Sequence, residues 1–419
     1  MHAINLLYRS STPTTELHFK KVYYRGDKLS VPGRLPAIMT DNNNPYDIFS
    51  PASQRNPHLH DSMRQNDPVH AAIHPQTGQT HWFLTRYDDC LAFLKDKRFG
   101  KEFRRRLPSH ITEKWSIDST EDSINLNMLN LDEPAHTRLK SLVHLAFMPQ
   151  RINQLRPRLQ KLADSLFDVI DKSVADGDEF DLTQYYISKL PLMSIIEMLG
   201  LPMTDFEQLF VWTHGMLSQD DSIVRPAIAN LSHYLDERID NRRNNPDMPD
   251  DVLSALILAE DAGDKLSQEE LLSMVVLLIT AGYETMVNFI SNSVMTLFEF
   301  PAQMQLLKKN LDNPAVVQSA IEELLRYSGP SHITLASWAF EDVGMGDKVI
   351  RQGDIVHAVL FAANRDPLIF DDPQRFDIMR TPNKHIAFSY GIHHCLGAAL
   401  ARLQGDIAIT TLLRRIPTM

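Results

Sequence analysis

Phe388-Ser389-Tyr390-Gly391-Ile392-His393-His394-Cys395-Leu396-Gly397 is the stretch on which the reading of this sequence turns. Its pattern is F-x-x-G-x-H-x-C-x-G, and Ala398-Ala399-Leu400-Ala401-Arg402 after it reads as the start of a helix. A thiolate just before a helix N-terminus is stabilised by the helix dipole and by N–H groups without an intrahelical partner. Gly391 permits a tight turn beneath a flat ligand, and Gly397 lets the helix backbone approach that ligand. His393 can donate to a carboxylate at the ligand's rim. The plainer reading is a small buried cysteine on the shoulder of a helix. Zinc fits poorly: His393, His394 and Cys395 are too close in sequence to share one tetrahedral ion, and there is no second cluster.

Composition bounds the rest. The chain has 419 residues, 43% hydrophobic and 23% charged, as in globular proteins. Length alone suggests about three domains, or one with a single large core. A net charge of −11 argues against non-specific nucleic-acid binding, which needs a basic surface. Two cysteines, Cys90 and Cys395, are too few for a disulfide scaffold and suit a reducing compartment. No apolar run reaches the roughly 18 residues that span a bilayer, and the N-terminus has no continuous apolar leader. No membrane segment is expected.

Residues 1–38 carry six basic residues and two acids, a local charge of +4 against −15 for the remainder. They read as a tail, with Met39 as an alternative first residue, or as a targeting peptide. The missing amphipathic period favours the tail. The organisation expected is a flexible N-terminal extension over 1–44 and one domain over 45–419.

Within that domain the apolar spacing is mostly helical, over 135–147, 150–174, 182–200, 204–218 and 224–243. The clearest helix runs from Ser267, with Glu270 in capping-box spacing, to Phe300 before Pro301. It would be about 50 Å long. Its middle, Met274 to Thr285, is apolar nearly all round and should be buried. Another helix starts at Asn313-Pro314 and stops before Gly329-Pro330. A last one covers about 396–415. Strand-like sequence is confined to His81–Thr85 and 332–362, so the fold class is mainly α with a small β region.

Three further stretches carry chemistry. Ala281-Gly282-Tyr283-Glu284-Thr285 puts polar groups inside the apolar helix, which is costly unless they are used. A threonine there can bond a carbonyl one turn back; the plainer reading is a solvent-facing acid beside a satisfied threonine. Glu323-Leu324-Leu325-Arg326 places an acid and a base on one helix face, a common surface pattern. Asp132-Glu133-Pro134-Ala135-His136-Thr137-Arg138-Leu139-Lys140 opens another helix.

These four stretches, in their order along the chain, resemble the motifs of the cytochrome P450 family, and the resemblance covers roughly residues 45–419. It implies a haem-thiolate fold binding heme b (iron protoporphyrin IX), with the Cys395 thiolate on the iron. Ala281, Phe388, Gly391, His393 and Gly397 would surround the cofactor, and His136 and Lys140 would face its propionates. Glu284 and Thr285 would relay protons to oxygen. Glu323 and Arg326 would form a buried structural network with Arg375, from Pro373-Gln374-Arg375-Phe376. Two positions depart from the pattern. Lys140 stands where the family has arginine, a point charge in place of a planar fork. Ser337 stands where the family usually has the arginine that clamps a propionate, so haem retention looser than usual is expected. The family also continues beyond the last helix with a β hairpin, and the fold expected for a chain stopping at Met419 lacks that C-terminal hairpin.

The activity the resemblance implies is a monooxygenase, acting with O2 on a small or medium apolar organic substrate such as a macrolide, polyketide or fatty acid. The sequence has no nucleotide or flavin motif, so electrons would come from a separate ferredoxin or flavodoxin. That partner would dock on a basic patch near Arg138, Lys140, Lys384 and Arg402. Substrate contacts are expected from 100–128, 185–230, Leu278–Met286 and Ser331–Ala336, including Met216, Leu217, Ile279, Ala281, Ile333 and Leu335. A cytoplasmic monomer is expected. The rivals are a haem-binding protein with impaired turnover and a helical scaffold without cofactor.

Overall fold

A computed structural model describes residues 23–25, 28–30, 48–49, 53, 56–112, 126–173, 180–218, 220–245, 247–261 and 266–416. Five helices frame the site: α1 (Ala135–His144), α2 (Lys189–Leu199), α3 (Gln268–Glu299), α4 (Pro314–Ser328) and α5 (Ala398–Arg415). The apolar stretch from Met274 finds no water-facing side, and the fold is built around α3, which carries it. α3 packs against α2, α4, α5 and the Asp221–Arg243 helix. Its start is the expected capping box: Glu270 N donates to Ser267 Oγ (3.1 Å) and Ser267 N donates to a Glu270 carboxylate oxygen (2.9 Å). By length and apolarity α3 could cross a membrane, but 56% of that stretch is buried inside the protein, as befits a core helix.

Pro301 ends α3 as expected and also opens a new helix, Pro301–Lys308, because a proline at the first helical position lacks no bond the helix would make. α4 is capped by Asn313, whose Oδ1 accepts from Ala315 N at 3.2 Å. The helix expected over 150–174 is divided at Leu155 into Pro149–Gln154 and Arg156–Ser173. Helices at Pro57–Asn66 and Val252–Asp261 were not expected from the apolar spacing.

The β portion is larger than expected. Strands β1 (Val69–Ile73), β2 (Thr80–Leu84), β3 (Phe99–Gly100), β4 (Ser337–Ala339) and β5 (Ile355–Ala358) form one sheet in the order β1-β2-β5-β4-β3. Only the β2–β5 pair is parallel, with His81 beside Ile355 and Phe83 beside His357. It brings two histidines together: His81 Nδ1 lies 3.0 Å from His357 Nε2, and His357 Nδ1 lies 3.1 Å from the Thr334 carbonyl. A carbonyl only accepts, so His357 carries its proton on Nδ1 and takes one from His81 at Nε2.

Part of the 1–44 segment departs from the expected flexible tail. Tyr23–Arg25 pairs with Lys28–Ser30 as an antiparallel hairpin, and Tyr23 and Tyr24 pair with Asp181 and Phe180. The two tyrosines favour a strand.

Candidate active site

The cysteine loop is held by its own backbone. Cys395 N donates to Phe388 O at 3.0 Å, and Gly391–His393 form a single 3-10 turn. Gly391 has φ +71°, and a Cβ there would stand 2.2 Å from the Leu94 carbonyl, so glycine is obligatory for a protein contact as well as for the turn. At Gly397 a Cβ would meet only the Cys395 sulfur, at 3.9 Å; the side of the helix start facing the sulfur is open. The Cys395 sulfur is reachable, whereas Cys90 is fully buried with its thiol on the Leu84 carbonyl (3.2 Å). Burial pushes the Cys395 thiol pKa up, against the Gly397 N–H and the nearby charges of Lys140 and Arg402.

Those cations fix the loop. Lys140 Nζ donates to the carbonyls of Ile392 and His394 (2.5 and 3.1 Å), so the bonds it makes within the protein hold the cysteine loop. Arg402 grips Glu322 with two bonds (2.6 and 2.9 Å) and lies 4.6 Å over the Phe388 ring. His385 Nε2 joins Glu322 at 2.9 Å. Burial opposes ionisation of Glu322, yet these two partners bring its pKa down to about 2. Glu322 and His385 carried no sequence signal beyond the doubled acid Glu322-Glu323 on one helix.

On α3, Ala281 and Thr285 are exposed although Tyr283, Met286 and Val287 around them are buried. Residues four apart share a helix face, so this is a narrow open stripe in a core helix. Thr285 Oγ1 donates to the Ala281 carbonyl at 2.7 Å, the one-turn-back bond expected. Burial raises the Glu284 carboxyl pKa, and no cation among the described residues forms an ion pair with it. α3 packs on α5, so the open stripe and the reachable sulfur belong to neighbouring elements.

Two histidines complete the cluster. The rings of His136 and His393 sit edge to face with centroids 4.6 Å apart. Burial, reinforced by Lys140 for His136 and by Lys101, His136 and Lys140 for His393, lowers their pKa values to about 4 and about 2. His136 Nδ1 and His393 Nε2 are buried without a hydrogen-bond partner in the protein. A buried polar atom without a partner is costly, and a polar group supplied from outside the chain would satisfy both. A reachable thiol, an open stripe on α3 and two orphaned ring nitrogens fit haem b with its propionates.

The Glu323 network forms with one change. Arg326 binds Glu323 by two bonds (2.7 and 2.8 Å), both side chains with no exposure. The third member is not Arg375. Its side chain is 63% exposed and pairs with Asp377, and only its backbone carbonyl enters the network, accepting from Arg326 and Arg380. Arg380 Nε reaches Glu323 at 3.2 Å instead, beside Asp377 N and the Asn383 amide. The chain bends at Asp372 (φ 44°), and Arg375, three residues on, points outward while Arg380 returns inward. Among the expected substrate contacts, Met216 and Ile279 are sealed in the core, whereas Leu217, Ala281, Ile333 and Leu335 keep some exposure. Residues 113–125 of the 100–128 stretch lie outside the described residues.

Comparisons with known proteins agree with this geometry. The cytochrome P450 family model matches residues 189–416. The chain is 37% identical to the polyketide biosynthesis cytochrome P450 PksS of Bacillus subtilis, across 85% of this chain and 87% of that protein. It is 38% identical to the cytochrome P450 monooxygenase PikC of Streptomyces venezuelae, across 85% and 83%. The crystal structure of the myxobacterial cytochrome P450 CYP267B1 with myristic acid superposes with a TM-score of 0.79 at 39% identity, covering 88% of this chain and 91% of that one. This chain therefore belongs to the cytochrome P450 family and is a haem b-dependent monooxygenase.

Proposed function

We propose that this enzyme inserts one oxygen atom from O2 into an apolar polyketide, macrolide or fatty-acyl substrate, with electrons from a separate ferredoxin or flavodoxin. The observation that carries the reading is the reachable Cys395 sulfur, in a loop pinned by Lys140 and directly before α5. The bound haem supplies the oxidation of an unactivated C–H bond or alkene. Cys395 would hold the haem iron through its sulfur; the Gly397 N–H and the charges of Lys140 and Arg402 favour the thiolate against the opposing effect of burial. Phe388, Gly391, His393, Gly397 and Ala281 would line the haem site. Glu284, whose carboxyl pKa is raised by burial, is the group that would pass a proton inward. Thr285 keeps its hydroxyl beside that path through its bond to the Ala281 carbonyl.

Leu217, Leu278, Ile333 and Leu335 offer an apolar surface to the substrate, which supports a ligand without charge at its reacting end. Relatives include a mycinamicin IV hydroxylase/epoxidase at 36% identity and the polyketide enzyme above. The enzyme works as a cytoplasmic monomer, with residues 45–419 as the catalytic domain. The test is the ferrous–carbon monoxide spectrum of the purified protein. A strongly red-shifted Soret band is expected; an unshifted band would remove Cys395 from the iron.

A further inference from the structure

We infer that Lys101 is the cation that fixes a haem propionate in this chain, taking over from the arginine that the family pattern places at position 337. The inference rests on haem occupying the site described above. The sheet register points to it first. β3 pairs with β4 with Phe99 opposite Ala339 and Gly100 opposite Trp338. Lys101 directly follows Gly100, and Ser337 directly precedes Trp338, at this end of the ladder. Lys101 Nζ reaches the carbonyls of Leu335 and Ala336, the two residues just before Ser337, so a long cation at 101 can serve the place where 337 has no arginine.

The backbone of Lys101 is fixed independently. Its N–H donates to both carboxylate oxygens of Asp132 (2.9 and 3.0 Å), and Glu102 N donates to one of them at 3.0 Å. Asp132 sits close because residue 100 is glycine: a Cβ there would stand 2.4 Å from an Asp132 oxygen. Asp132 also opens the stretch that leads through His136 to Lys140, so Lys101 and His136 share one frame.

The side chain leaves capacity unused. Lys101 Nζ donates to the carbonyls of Leu335 and Ala336 (3.0 and 2.6 Å), and an ammonium has three protons. No carboxylate among the described residues forms an ion pair with it. Burial pulls its pKa down to about 8, with Asp132 as the opposing charge. A partly buried cation without a paired anion is unfavourable, and a propionate would supply that anion. The field of Lys101 falls on His393, whose Nε2 is orphaned, and on His357. Lys101 and the two orphaned nitrogens, from three separate segments, form a set of polar groups suited to a carboxylate. Haem retention then need not be loose, since the expectation of looseness counted only the residues at 140 and 337.

The competing role is a backbone prop, in which Lys101 merely ties Leu335 and Ala336. The test measures haem transfer from the holoprotein to excess apomyoglobin, using haem and haem dimethyl ester, whose propionates are blocked. Lys101→Gln keeps donors for the carbonyls but removes the charge; Lys101→Met removes both and adds a second comparison. The expected result is that Lys101→Gln releases haem about tenfold faster than the wild type while releasing the dimethyl ester at the wild-type rate. Adding Ser337→Arg to either variant should restore retention of haem. Equal acceleration with both cofactors, or none with either, overturns the assignment while leaving haem binding intact. A wild type that takes up no haem would overturn both readings. Should the methionine variant fail to fold, the glutamine variant carries the comparison alone.

Discussion

Single residues separate parts of the site that the sequence displays from parts that only folding decides. Cys395, His393, Gly391 and Thr285 sit at fixed spacings within short motifs, so their positions could be read directly. Arg380 and Lys101 could not, because a partner's identity there depends on a chain bend and on strand register. The network makes a sharp contrast testable by thermal melting of the holoprotein. Glu323→Ala leaves Arg326 buried without its partner and should cost about 3–5 kcal/mol. Arg375→Ala removes an exposed pair with Asp377 and should cost under about 1 kcal/mol. If Glu284 carries the proton as proposed, Glu284→Gln should lower product formation roughly a hundredfold while the Soret spectrum stays unchanged. Equal product yield per electron in that variant would exclude Glu284 from proton delivery.

Elements follow the sequence where punctuation is strong. The Ser267–Glu270 box and Asn313-Pro314 mark helix starts by local hydrogen bonding, so α3 and α4 were legible almost to the residue. Ser267→Ala should cost about 1 kcal/mol, read as a lower melting temperature. β3 is two residues long, and such a strand exists only through its neighbour β4, so no local pattern announces it. The parallel pairing of β2 and β5 has a consequence in acid. Burial, together with neighbouring charge, holds His81 near a pKa of about 2 and His357 near about 4. The unfolded chain takes up protons at these histidines below about pH 6.5, and the folded protein refuses them. Stability is therefore unaffected by the pair above pH 6.5 and falls as pH drops from 6.5 through 4. His81→Phe should flatten that part of the curve of denaturation midpoint against pH.

For the whole molecule, the distribution of charge sets how electrons arrive. The net charge of −11 would repel an acidic partner, so docking depends on a local basic face. Arg138 and Arg402 of the expected patch are bonded to Glu270 and Glu322, and Lys140 is turned to the cysteine loop. Lys384 is the patch member with no ion pair among the described residues, so the patch is weaker than its residue count suggests. Reduction by a ferredoxin should slow only modestly, by a few-fold, between 0.05 and 0.5 M salt, measured by stopped-flow as ferrous–carbon monoxide formation. The whole-molecule fold itself was foreseen from four short motifs, whereas the added N-terminal hairpin depends on pairing with Asp181, far along the chain. The two thiols, finally, give the protein its own occupancy gauge. Cys90 is sealed and Cys395 is open, so an alkylating reagent should modify one sulfur per empty chain and none per chain carrying haem. Mass spectrometry of a briefly alkylated sample would then count empty and loaded molecules in one spectrum, without any optical signal.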